Sequence, residues 1–247
     1  MQEVVWSATP IQGPMPFRGT LSKATVDARS NMPFPVFNPQ TGLVEKPEIP
    51  ARRTFYYDIA VLALPAEGFV PENKVVDLTS RMGPNGDLVW DAPAGPWLVY
   101  RFGATTNGSI LQPAQWEATG LECDKMSAEA VSFHLDHVLK EIRRHLGPLV
   151  GKGLTHLHFD SYEAGPANWT PRMREEFRAR RGYDLVPWLP VLAGRTVGTD
   201  ARTAASRAAS LMRGVPPVAQ AVRVSRASAA VEASGIFIEW SPGRRGS

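Results

Sequence analysis

The chain has 247 residues, of which 43% are hydrophobic, and a formal net charge of +3. This length suits one large domain or two small ones, and no apolar run is long enough to cross a membrane as a helix. The single cysteine, Cys123, excludes an intrachain disulfide. Residues 200–247 hold seven arginines against three acids, so the rest of the chain is close to neutral. The sequence has no basic stripe interleaved with aromatic residues, so we expect no nucleic-acid partner. Because it also has no long apolar run, we expect no membrane partner.

The N-terminal part of the chain divides into two regions by composition. Residues 1–52 are rich in proline, glycine and small polar residues, which predicts an irregular segment, although Val4, Val5 and Trp6 could form a strand or the end of a helix. Residues 53–103 contain runs of aromatic and branched residues separated by turn signals, which predicts an antiparallel, sandwich-like β region. Such a region could bind sugar on its aromatic faces or be purely structural.

Two neighbouring carboxylates lie in the polar connection that follows. Glu122 and Asp124 are two residues apart, so an extended backbone would point both in the same direction. They could share a cation, although a surface hairpin explains them equally well. Cys123 lies between these acids, which would raise its pKa and make it a poor nucleophile.

The sequence from residue 127 onward predicts helices around a short strand. Ser127 is a suitable N-cap for a helix that ends near residue 145. Residues 154–160 read as a buried strand, and residues 170–181 as a second helix that ends at Gly182. Strand, acidic loop and helix is the repeating unit of a (β/α) barrel, whose chemistry lies at the carboxyl ends of the strands.

The loop after this strand carries Asp160 and Glu163, which are candidates for acid/base chemistry. The alternative is that Asp160 caps a turn and that Glu163 is a solvated loop acid. Residues 199–247 consist mainly of alanine, arginine and serine, and we predict a poorly ordered tail. A switch of reading frame in a GC-rich gene would also produce this composition.

Several of these stretches resemble glycoside hydrolase family 106, the α-L-rhamnosidases. They are WLVYRFG at 97–103, TGLECDK at 119–125, HFDSYE at 158–163, NWTPRMREEF at 168–177 and RRGYD at 180–184. The opening MQEVVWS is also similar to a segment inside the catalytic region of the family. The resemblance covers roughly residues 1–198.

The resemblance implies an α/β fold. It predicts a partial (β/α) TIM-type barrel over residues 104–198, with the antiparallel β region at 53–103 inserted and the tail at 199–247 poorly ordered. It also implies inverting hydrolysis of terminal α-L-rhamnosides, in the periplasm or outside the cell, although the first residues lack the pattern of a signal peptide.

The resemblance also assigns residues to roles. Glu163 matches the position of the general acid. Calcium is the expected cofactor, with Asp124 and Glu122 as candidate ligands. The expected partner is a rhamnose-containing glycan or glycoside, and the substrate-binding candidates are Asp160, Glu122, Asn168 and Trp169.

The chain departs from the family pattern at both ends. It starts where the first barrel strands should already be complete, and the tail replaces the later ones. We therefore expect the general base to lie outside this chain and the missing barrel portions to lie on adjacent reading frames. We expect the activity of the chain alone to be impaired or absent. The alternative is a non-catalytic carbohydrate-binding or structural module.

Overall fold

The computed structural model describes residues 1–24, 36–45, 55–108, 120–159, 167–198 and 237–240. Two α-helices, α1 (Ala128–Leu146) and α2 (Met173–Arg181), accompany short 3₁₀ helices. The strands, in chain order, are β1 (Gln2–Gly13), β2 (Pro16–Thr20), β3 (Val36–Asn38), β4 (Leu43–Glu45), β5 (Tyr56–Pro65), β6 (Val70–Pro71), β7 (Val76–Asp77), β8 (Asp87–Asp91), β9 (Gly95–Thr106), β10 (His156–Phe159), β11 (Val197–Gly198) and β12 (Phe237–Trp240). The 3₁₀ helices span Glu72–Lys74, Thr79–Arg81, Gly147–Leu149 and Val186–Ala193.

A four-stranded antiparallel sheet, in the order β1-β9-β5-β7, forms the centre of the described structure. β1 pairs with β9 along its whole length, from Gln2 opposite Thr106 to Gly13 opposite Gly95. β5 pairs with the other side of β9, with a bulge between Asp58 and Ala60. The antiparallel β structure predicted for residues 53–103 is therefore present.

Both faces of this sheet are covered, which explains why β5 is almost uniformly apolar. On one face, Val61 and Ala63 pack against the antiparallel pair of β2 and β8. On the other face, Leu62 packs with Phe177 of α2 and with Trp188 of the 3₁₀ helix Val186–Ala193. The second cluster draws buried residues from all along the chain, among them Val4, Phe102, Met126 and Trp169.

The predicted irregular segment at 1–52 is wrong for its first half, because β1 and β2 occupy residues 2–13 and 16–20. Composition misleads here because Pro10 lies in β1, which is an edge strand of its sheet, where proline is tolerated. Residues 36–45 add the short antiparallel pair of β3 and β4.

The two α-helices lie close to the positions that the sequence predicted. The Ser127 hydroxyl caps α1 by accepting a hydrogen bond from the Ala130 backbone N–H at 3.2 Å, and α1 ends at Gly147. α2 ends at Gly182 as predicted but begins at Met173, three residues after the predicted start. None of the described helices combines the length and the apolar character needed to cross a membrane.

Parallel pairing joins β10 to β12 and β6 to β11. The predicted strand at 154–160 is thus present in shorter form. β12 corrects the prediction of a poorly ordered tail for residues 237–240, because Phe-Ile-Glu-Trp is a β-prone run within a tail of otherwise different composition. The remainder of 199–247 lies outside the described residues. The fold is mixed α/β with antiparallel sheets, and the barrel stays a prediction.

Candidate active site

The acidic segment at 120–126 lies against the end of the central sheet where β1 begins. The Asp124 carboxylate accepts a hydrogen bond from the Met126 backbone N–H at Oδ1 and another from Gln2 Nε2 at Oδ2, both at 3.1 Å. Burial raises the pKa of Asp124, against the lowering effect of these hydrogen bonds. The segment is therefore joined to β1 through a carboxylate that is largely removed from solvent.

Glu122 has a different environment from Asp124. Its Oε2 atom pairs with Lys125 Nζ at 3.0 Å, and its side chain is 12% exposed. It also lines an open cleft of about 510 Å³ between residues 121–123 and the first turns of α1. This volume is within the usual range for small-molecule sites. The lining includes Leu121, Cys123, Glu129, Phe133 and His134.

The two carboxylates do not form a cation site by themselves. Asp124 is engaged by Gln2 and Met126, whereas Glu122 pairs with Lys125 and lines the cleft. Across the ranges that the structure describes, no three His, Cys, Asp or Glu side chains are grouped so that they could hold a metal ion. A calcium site at these positions would need further oxygen ligands, so calcium stays a prediction.

Cys123 is unsuited to nucleophilic chemistry, as its neighbours in sequence predicted. Burial raises the pKa of its thiol, and the negative charge of Glu122 raises it further. The thiol therefore stays protonated near neutral pH.

Asn168 and Trp169 connect the segment after the acidic loop to β1. The backbone N–H groups of both residues donate to the Gln2 carbonyl, at 3.1 and 3.3 Å, and Asn168 Oδ1 accepts from the Val4 N–H at 2.8 Å. Trp169 is 4% exposed, and its Nε1 donates to Tyr57 Oη at 3.1 Å. The void beside them holds only about 10 Å³, room for no more than a water molecule.

Asp160 and Glu163 lie outside the described residues. β10 ends at Phe159, immediately before Asp160 in the sequence, and the description resumes at residue 167. Their predicted roles in sugar contact and proton transfer therefore stay predictions. The structure does describe the two segments on either side of them, at 156–159 and at 167–170.

Two residues of this region were missed from the sequence. Gln2 bonds to Asp124 through its side chain, and Tyr57 donates from its hydroxyl to Gln2 Oε1 at 2.7 Å. No local pattern distinguishes them, because Gln2 begins a strand and Tyr57 belongs to an aromatic run. Only the pairing of β1, β9 and β5 brings them to one end of the sheet.

Comparisons with known proteins agree with this architecture. A protein from Formosa agariphila, named "Putative beta-glucuronidase", is 40% identical over 131 residues, which are 53% of this chain and 11% of that protein. The structure of a rhamnosidase from Novosphingobium sp. PP1Y is similar in fold, with a TM-score of 0.64 and 21% identity over 98% of this chain. This chain spans 37% of that structure.

A family model described as alpha-L-rhamnosidase matches residues 56–207. This match covers more than half of the chain and includes the acidic segment at 120–126, the strand β10 and the helix α2. The chain therefore belongs to glycoside hydrolase family 106, the alpha-L-rhamnosidase family.

Proposed function

We propose that this chain carries part of the catalytic region of a glycoside hydrolase that cleaves terminal α-L-rhamnosides with inversion. The family match over residues 56–207 supports this proposal, because it contains both acidic segments, at 120–124 and at 160–163. The substrate would be a rhamnose-containing glycan or glycoside, encountered in the periplasm or outside the cell.

The proposed chemistry assigns Glu163 as the general acid. In an inverting hydrolase, one protonated carboxyl donates a proton to the leaving oxygen, and a second carboxylate activates a water molecule on the opposite face of the sugar. These two carboxyl groups are about 6.5–9.5 Å apart in such enzymes. We propose Asp160 and Glu122 as sugar contacts and place the general base outside this chain.

The cleft beside Glu122 is the described feature that best fits a sugar. Its wall joins carboxylates, which accept hydrogen bonds from sugar hydroxyls, with the apolar side chains of Leu121 and Phe133. Phe133 is 80% exposed and so offers a ring face for stacking. Asn168 and Trp169, in contrast, would act by holding the neighbouring backbone in place.

The order of elements around Asp160 supports the partial barrel. β10 runs parallel to β12, and α2 follows the acidic loop on the chain. A parallel strand, an acidic loop and a helix match one unit of a (β/α) barrel. We propose that further strands, on adjacent reading frames, complete the pocket, and that the 247 residues alone hydrolyse slowly.

Calcium would supply a charge that binds sugar hydroxyls at such a site. Asp124 and Glu122 are the proposed ligands in this chain, together with oxygen atoms from outside the described residues. The Asp124 hydrogen bonds to Gln2 and Met126 would have to coexist with the ion, so our mechanism assigns no step to it.

A second candidate activity is glucuronide hydrolysis, which the name of the Formosa relative favours. The two activities differ in the charge of the sugar, because a glucuronide carries a carboxylate at C5 and a rhamnoside carries a methyl group. The cleft is lined by Glu122, whose charge is offset by Lys125, and by Glu129, whose charge would repel a uronate. We therefore favour the rhamnoside.

The test compares 4-nitrophenyl α-L-rhamnoside with 4-nitrophenyl β-D-glucuronide, using the chain at high concentration and long incubation. We expect release of nitrophenolate from the rhamnoside at least about tenfold faster than from the glucuronide, as a charge difference in a specific site permits. Faster release from the glucuronide would support the second activity. Binding of rhamnose without turnover of either glycoside would support a non-catalytic carbohydrate-binding module.

A further inference from the structure

A chain of side-chain hydrogen bonds crosses the end of the central sheet and joins the two segments that carry predicted site residues. Trp169 Nε1 donates to Tyr57 Oη at 3.1 Å, and Tyr57 Oη donates to Gln2 Oε1 at 2.7 Å. Gln2 Nε2 then donates to Asp124 Oδ2 at 3.1 Å. The four residues come from four separated parts of the sequence.

The direction of each hydrogen bond in this series is fixed by the residues at its two ends, Trp169 and Asp124. An indole N–H can only donate, and at the other end Asp124 Oδ2 accepts from the Gln2 amide nitrogen. Tyr57 must therefore accept from Trp169 and use its single proton toward Gln2. The opposite orientation of the Gln2 amide would place its oxygen against the Asp124 carboxylate. Burial raises the pKa of Tyr57, so its hydroxyl remains protonated and able to donate.

The backbone strengthens the same connection. The Gln2 carbonyl accepts from the N–H groups of Asn168 and Trp169, and Val4 donates to the Asn168 side chain. One strand end thus holds the segment at 167–170 through its main chain and the segment at 120–126 through its side chain. Trp169 is 4% exposed, so water competes little for its end of the chain.

We propose that Gln2 and Tyr57 are positioning residues that hold the acidic segment at 120–126 in register with the segment that follows the acidic loop. This inference rests on the proposed function for its catalytic consequence, but the mechanical coupling is a property of the fold. Each residue acts through a neighbour and touches no substrate. A small displacement of oriented groups slows an enzyme strongly, so we expect the effect mainly in kcat.

The test uses Tyr57→Phe in the full chain, with Tyr100→Phe as the matched control. Tyr100 lies in the same apolar cluster of the sheet, stacks on Phe102 and stands outside this chain of hydrogen bonds. The readout is amide hydrogen exchange at Met126, whose N–H donates to Asp124, two side chains away from Tyr57. We expect about tenfold faster exchange in Tyr57→Phe than in the control, as expected when a hydrogen-bonded network loosens.

A second variant covers the case in which Tyr57→Phe fails to fold. Gln2→Glu keeps the size of the side chain and its acceptor for Tyr57, but it places a carboxylate against Asp124. It should also speed exchange at Met126 while leaving the Trp169 indole signal in an NMR spectrum unchanged. Tyr57→Phe should shift that indole signal, because Trp169 loses its acceptor.

Different results would contradict the positioning role of Tyr57 and the proposed hydrolase function. Exchange at Met126 that is equal in Tyr57→Phe and Tyr100→Phe would overturn the coupling. If the coupling holds and the wild-type chain cleaves the rhamnoside, Tyr57→Phe should lower kcat about tenfold with a smaller change in KM. An unchanged kcat would overturn the positioning role. Coupling without turnover of either glycoside by the wild type would overturn the proposed function and the catalytic consequence with it.

Discussion

The Arg101 guanidinium holds the Asp58 carboxylate with two hydrogen bonds, from Nε to Oδ1 at 2.7 Å and from Nη2 to Oδ2 at 2.9 Å. The Arg101 side chain is 1% exposed, and its Nη1 donates to the Leu21 carbonyl at 2.6 Å. All three guanidinium nitrogens therefore have partners. The pair connects β9 to β5 and to the segment that follows β2.

Removal of Asp58 should destabilise the fold strongly. Asp58→Ala leaves the buried Arg101 guanidinium without its counter-ion. Because the Asp58 side chain is 29% exposed, the loss should fall below that of a fully buried pair, at about 2–3 kcal/mol. Urea unfolding measures the loss. The control is Glu175→Gln, which breaks a solvent-exposed pair with Arg172 and should leave the urea midpoint nearly unchanged. Equal losses in both variants would contradict a structural role for the Arg101–Asp58 pair.

The same pair predicts how stability depends on pH. Burial alone would raise the pKa of Asp58, but the hydrogen bonds from Arg101 outweigh it and leave the pKa below its usual value. Because the folded-state pKa is depressed, the contribution of Asp58 is complete above about pH 4, the unfolded value, and is lost as the pH falls through the folded value. The stability difference between wild type and Asp58→Ala should therefore narrow in acid. A difference that stays constant from neutral pH down to about pH 3 would exclude this linkage.

Gly86 should not tolerate a side chain. Its φ of +90° favours glycine, and a Cβ would lie 2.7 Å from the Leu21 carbonyl oxygen and would collide with Arg101 Nη1. Backbone strain should cost each variant about 1–2 kcal/mol. The clash at Gly86 adds an overpacking cost of about 1–3 kcal/mol, so we expect Gly86→Ala to lose about 2 kcal/mol more than Gly68→Ala. Gly68 has a φ of +71° and no atoms near its Cβ position, so it reports the strain by itself. Similar unfolding midpoints for the two variants would contradict this prediction, because they would show that Leu21 and Arg101 can shift to accommodate the Cβ.

Local signals predicted the elements better than composition did. Ser127 and Gly147 mark the ends of α1, and Gly182 marks the end of α2, because caps and left-handed glycines are short-range features. The strand β1 was predicted only at Val4, Val5 and Trp6, as one of two alternatives, since the proline and glycine content of this part of the chain resembles that of a loop. Its strand character depends on pairing with β9, about 90 residues away, which no local pattern reports.

The candidate site shows the same difference between short-range signals, which the sequence reports, and long-range contacts, which it does not. The pattern around Glu122 and Asp124 indicated chemistry, and the structure places these residues at the end of the sheet. It did not indicate that Asp124 bonds to Gln2, because that contact joins residues 122 positions apart. The two carboxylates were expected to point together, yet only Glu122 lines the cleft. The Asp124 side chain instead bonds to the Met126 backbone N–H and to Gln2, and these contacts fix its direction.

The measurement that tests the central claim most directly is the rate of rhamnose release from methyl α-L-rhamnoside by the wild-type chain and by Glu163→Gln, because an alkoxide leaving group needs the proton that a general acid supplies. Removing the general acid should reduce the rate about 10²–10⁴-fold. The control Glu67→Gln, at an exposed loop position, should leave the rate unchanged. NMR of the first sugar formed should show the inverted anomer. Equal rates for wild type and Glu163→Gln would contradict the assignment of Glu163 as the general acid. No release above the rate without protein would contradict the proposal that the 247 residues hydrolyse the rhamnoside by themselves.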